Sequence, residues 1–141
     1  MLANTASYNT AVGFRSLYAN TIGVGNTATG LATLYANTSG ILNTAMGSQA
    51  LYTNTTGNTN TAFGDQALYS NTTGFGNVSI GSNSLFSNIT GSNNTAIGSK
   101  SGTSVDALSN TTAIGNFATT TADNQVRIGS SSVTSIGGIT N

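Results

Sequence analysis

Few side chains in this sequence could do chemistry. Six are formally charged, Arg15, Asp65, Lys100, Asp106, Asp123 and Arg127, and neither His nor Cys occurs. Without an imidazole or a thiol, Ser-His-Asp and Cys-His nucleophilic systems are excluded, and so is any thiolate metal site. The three carboxylates are far apart in sequence and share no common spacing, so a pair of acids for glycan hydrolysis is not visible. One Asp from each of several chains could converge on a cation, but lone acids are ordinarily solvated. Gly74-x-Gly76 matches a fragment of a phosphate loop; no helical pattern follows it, and it reads as a turn. No catalytic residue, metal or cofactor is expected.

The residues that do recur are of another kind. Aromatic rings stand at Tyr18, Tyr35, Tyr52, Tyr69 and Phe86, each preceded by a leucine: Leu17, Leu34, Leu51, Leu68 and Leu85. Rings in a row could stack against a carbohydrate, although packing in a core or between chains is the favoured reading. An asparagine recurs on the same clock at Asn9, Asn26, Asn43, Asn60, Asn77 and Asn94, with Thr111 in the next slot, and each step is 17 residues. A glycine follows four places later (Gly13 to Gly115), a second asparagine stands at Asn20, Asn37, Asn54, Asn71 and Asn88, and a second glycine at Gly23, Gly40, Gly57, Gly74 and Gly91. Glycosylation triplets such as Asn37-Thr38-Ser39 and Asn71-Thr72-Thr73 read as by-products of this repeat. Threonine columns (Thr10 to Thr112, and Thr21 to Thr72) raise an ice-binding face as a minor alternative.

The elements that must carry these columns follow from the period. A unit of 17 residues is too short for two helices and a turn, and its glycines argue against one helix. Segments such as Thr95-Ala96-Ile97-Gly98 and the Leu-Tyr pairs, bounded by Asn and Gly, read as very short strands joined by turns. Glycine would supply positive φ after each strand. One unit is then one coil of an all-β solenoid, and seven coils at ~4.8 Å each make a rod on the order of 35 Å long. Stacking would align the asparagines as an amide ladder and bring the rings within contact range.

Both faces of each strand carry apolar residues. Ala11, Ala28, Ala45, Ala62, Ser79, Ala96 and Ala113 form a small column, and Val12, Thr29, Met46, Phe63, Ile80, Ile97 and Ile114 a larger one on the opposite side. Leu and Tyr are likewise expected on opposite faces. A coil this small can enclose only one face, so the other is expected to pack on sister chains. Asp at Leu51 is then expected to block assembly.

Composition narrows the partners. Charged residues are only 4% of the chain and sum to zero, which gives no electrostatic reason to expect nucleic acid or an anionic membrane. No apolar run approaches the ~20 residues of a membrane helix, and no secretory leader is visible at the start. Along the chain, residues 1–8 read as a partial repeat in which Met1-Leu2-Ala3-Asn4 aligns with Leu17-Tyr18-Ala19-Asn20. Residues 9–115 read as the repeat solenoid, and residues 116–141 as atypical C-terminal coils in which Val126-Arg127-Ile128-Gly129 and Ser135-Ile136-Gly137 echo the strand at shorter steps. The coil from Asn94 keeps its strand but loses the Leu-aromatic pair.

The unit Asn-Thr-Ala-x-Gly-x-x-Ala-Leu-Tyr-x-Asn-Thr-Thr-Gly, clearest over residues 60–74, resembles the β-roll repeats of bacteriophage tail fibres, which are similar to the heads of trimeric autotransporter adhesins. The run over residues 122–138 looks like the segment that precedes an endosialidase-type intramolecular chaperone in such fibres. The resemblance implies left-handed coils, a homotrimer, an extracellular setting on a virion tail fibre or cell surface, and attachment to a cell-surface glycan or receptor. The functional expectation is a rigid structural and adhesive module, not an enzyme. A self-assembling extracellular filament subunit is the alternative.

Overall fold

The computed structural model describes residues 6–134; the expectations placed on Met1-Leu2-Ala3-Asn4 and on Ser135-Ile136-Gly137 lie outside them. Within that span the chain is a parallel β-solenoid of 17-residue coils. Each regular coil contributes one strand of three residues: β1 (Thr10–Val12), β2 (Thr27–Thr29), β3 (Thr44–Met46), β4 (Thr61–Phe63), β5 (Val78–Ile80) and β6 (Thr95–Ile97). Then come β7 (Gly102–Thr103), β8 (Thr112–Ile114), β9 (Thr119–Thr120) and β10 (Val126–Ile128). One parallel sheet runs in the order β1-β2-β3-β4-β5-β6-β8-β10, and β7 pairs with β9 in a second.

The register is the sequence period. Thr10 pairs with Thr27, Ala28 with Ala45, and Ile97 with Ile114, each one coil on. The sheet continues past residue 115: Val126 pairs with Thr112 and Ile128 with Ile114, so the change of period shortens a coil without ending the stack.

Two columns of glycine serve different physics. Gly13, Gly30, Gly47, Gly64, Gly81, Gly98 and Gly115 sit at φ 114–137° directly after the strands, where a side chain would be strained. The column Gly23 to Gly91 shows no such φ; there a Cβ would collide with the glycine carbonyl of the next coil (the Leu108 carbonyl, for Gly91) and with the asparagine Oδ1 three residues back. Close approach, not backbone freedom, requires the second set.

The Leu-aromatic pairs correct an expectation. They are turns, not strands. Leu17, Leu34, Leu51, Leu68 and Leu85 adopt φ 47–52°, and each N–H donates to the next coil, as Leu51 does to the Ala67 carbonyl at 3.0 Å. A left-handed non-glycine residue costs roughly 1–2 kcal/mol. Full burial of a leucine side chain returns about 1.5–3 kcal/mol, and all five are at most 2% exposed. Burial therefore outweighs the backbone strain.

Candidate functional site

Inside the coil the leucines pack with Ala28, Ala45, Ala62, Ala96 and Ala113, so the small column of the strands faces inward. The larger column faces out, with Val12 57%, Met46 44%, Ile80 40%, Ile97 40% and Ile114 38% exposed, while Thr29 and Phe63 are half-buried. Of the two apolar faces, the coil encloses one. The leucine column lies on the enclosed side, so Asp at Leu51 would strike the coil interior before any contact between chains.

Two asparagine ladders hold this interior. In the first, the backbone N–H of Asn26, Asn43, Asn60, Asn77, Asn94 and Thr111 donates to the Oδ1 of the asparagine 17 residues earlier at 2.8–3.0 Å, beginning with Asn9. The Nδ2 groups of Asn9, Asn26, Asn43, Asn60 and Asn77 donate to the carbonyls of Gly23, Gly40, Gly57, Gly74 and Gly91 at 2.7–2.9 Å. The second ladder runs amide to amide, Asn37 to Asn20, Asn54 to Asn37, Asn71 to Asn54 and Asn88 to Asn71, at 2.7–3.0 Å. Its Nδ2 groups reach the same glycine carbonyls at 2.9–3.0 Å. Buried amides are thereby satisfied coil after coil. Asn37 and Asn71 are 0% exposed, so their glycosylation triplets are closed in the folded chain.

The threonine column behaves similarly. Thr21, Thr38, Thr55 and Thr72 donate their hydroxyls to the carbonyls of Thr38, Thr55, Thr72 and Ile89 at 3.0–3.1 Å. These hydroxyls are engaged along the rod. Asp65, Asp106 and Asp123 are exposed and stay apart, and among the described residues no three His, Cys, Asp or Glu side chains cluster. Asp123 does one structural job: its Oδ1 accepts the Ser109 N–H at 2.8 Å.

The rings form a continuous stack. Tyr18, Tyr35, Tyr52, Tyr69 and Phe86 lie 5.0–5.2 Å apart, with planes inclined by 1–12°. Each inner ring has both faces against its neighbours, so the column presents edges to solvent. This removes it as an extended sugar platform, which needs open faces. Two faces terminate the stack. At Tyr18 the Arg15 guanidinium lies 5.7 Å from the ring centroid. At Phe86 the next position along the column is Thr103.

That position is unlike any other. Gly102 stands where a leucine would continue the inner column, and Thr103 where a ring would continue the stack. A cavity of about 260 Å³ opens there, lined by Asn83, Leu85, Phe86, Ser87, Lys100, Ser101, Gly102, Thr103 and Thr119. The Thr103 hydroxyl oxygen is buried without a hydrogen-bond partner, the one such side-chain atom among the described residues. An unmade bond of that kind costs about 1–3 kcal/mol. The sequence signal, a missing Leu-aromatic pair beside Lys100, was legible as an irregular coil; that it leaves a cavity is not read from spacing.

The fold thus defines the class: a parallel β-solenoid repeat protein. No protein-family model, curated protein or solved structure matches the chain. No helix among the described residues is long and apolar enough to cross a membrane.

Proposed function

We propose that the chain is a rigid fibre module, the shaft or head of a bacteriophage tail fibre or cell-surface adhesin, working as a homotrimer outside the cell to attach to a glycan or receptor. The observation that carries this reading is the outward apolar column Val12, Met46, Ile80, Ile97 and Ile114, each 38–57% exposed and aligned along one side of the rod. An apolar stripe of this kind, interrupted at Thr29, is a docking surface in search of cover, and a second and third copy of the same chain offer a matching stripe of equal length and register. The mechanism is mechanical: main-chain pairing and buried ladders give stiffness, and three parallel copies multiply weak surface contacts. The virion or cell-surface location follows from the resemblance of the repeat unit.

Light scattering on the purified chain tests it. A mass near three chains is expected, reduced to one chain by Ile97→Asp with the circular dichroism unchanged. A monomeric parent chain would end the reading. Among the described residues β1 and β10 are the outermost strands of the sheet, and such edges favour a second reading, a filament that grows end to end. Electron microscopy of dilute protein separates them, since short rods support the module and indefinite fibres the filament.

A further inference from the structure

The open end of the ring stack, the absent leucine and Lys100 meet at one place. We propose that the cavity between Phe86 and Thr103 binds a single acidic sugar ring, a hexuronate unit, which takes the slot that a sixth aromatic residue would fill. The proposal rests on the attachment reading above, whose ligand it locates.

The geometry selects the ligand. Every ring before Phe86 has its C-terminal-side face covered by the next ring at 5.0–5.2 Å. Phe86 has no such successor, and its side chain is 36% exposed. A saccharide chair stacks its axial C–H face on an aromatic face, at the carbon–carbon contact of about 3.5–4.0 Å that dispersion favours. The cavity of about 260 Å³ lies just below the ~300 Å³ from which drug-sized pockets begin, so it suits one ring and not a chain of them.

The rim supplies what a sugar's hydroxyls need. Asn83 and Ser87 line the same space and bring a side-chain amide and a hydroxyl to it. The Asn83 amide is turned toward the Ser82 hydroxyl at 3.0 Å, an exposed bond that exchanges readily for a ligand. The charge comes from Lys100, which lines the cavity and whose Nζ lies 5.3 Å from the Phe117 ring centroid. An ammonium held over a ring keeps its outer N–H donors free for a carboxylate. Gly102 lines the same space and packs closely on its neighbour, since a Cβ there would lie 3.0 Å from the Leu85 backbone.

Saturation-transfer difference NMR tests this on the full chain, with methyl β-D-glucuronoside as probe and methyl β-D-glucoside as neutral control. Transfer to the uronoside ring protons at millimolar probe is expected, with the neutral glycoside weaker by roughly tenfold, the value of one charge-assisted bond. Lys100→Gln is expected to bring the two probes level. Phe86→Ala, which removes the exposed ring face, is expected to abolish transfer with the circular dichroism unchanged.

No transfer to either probe overturns the proposal, and so does transfer that survives in a folded Phe86→Ala chain. Equal binding of both probes by the parent chain overturns the acidic assignment. A trimer that fails these tests leaves the fibre reading standing; a monomer that passes them removes the fibre and keeps the site.

Discussion

In the coils that start at Asn9, Asn26, Asn43, Asn60 and Asn77, the Leu-aromatic pair turns the chain with leucine at φ 47–52°. One coil later the same two positions are Gly102 and Thr103, and they form β7, paired to Thr119 and Thr120 of β9. Glycine is the residue most tolerant of the left-handed turn, yet Gly102 takes φ 148° instead. The turn in the regular coils is therefore held by burial of the leucine side chain and not by local backbone preference. Remove the side chain and the backbone goes elsewhere.

The two regions also differ in their ladders. Both asparagine columns run through the regular coils, but the second ends at Asn88, and Val105 stands one period on. The first continues: Asn94 donates to the Leu108 carbonyl at 2.7 Å, and Thr111 closes the column on Asn94 Oδ1 through its N–H and its hydroxyl. Thereafter the strand repeat falls to 14 residues, since Val126 pairs with Thr112. The first ladder thus suffices for coil register, while the second braces the corner whose residues are lost when it stops.

The comparison can be broken from either side. Leu51→Asp places a charge at a position that is 0% exposed. It is expected to cost more than about 4 kcal/mol and to abolish the cooperative thermal transition followed by circular dichroism. Asn60→Ala leaves the buried Asn77 N–H, now 3.0 Å from Asn60 Oδ1, without an acceptor. A loss of about 2 kcal/mol in urea unfolding is expected, against under ~0.5 kcal/mol for Asn110→Ala, whose amide bonds Asn124 at the surface.

Smaller effects sharpen the contrast. Gly102→Ala forces a Cβ to 3.0 Å from the Leu85 Cα at φ 148°, and a penalty on the order of 1–2 kcal/mol is expected. Hydrogen exchange should show it confined to the β7–β9 region. Asp65→Ala, at an exposed position, is expected to change the unfolding free energy in urea by less than ~0.5 kcal/mol.

What the amino-acid sequence determined by itself is the stack. A period of 17 residues names every vertical neighbour in advance, because identical coils in register must place like on like; hence Tyr18 over Tyr35, and Asn26 Oδ1 beneath the Asn43 N–H. The tertiary structure alone decided what happens around the coil. Alternation along a strand shows that Ala96 and Ile97 oppose each other, but which of them faces inward depends on how the coil closes. The left-handed leucines, the glycines demanded by a neighbouring carbonyl, and the cavity at Gly102 and Thr103 all arise from contacts with the adjacent coil. Such contacts are set by packing across the rod, and residue spacing along one chain carries no record of them.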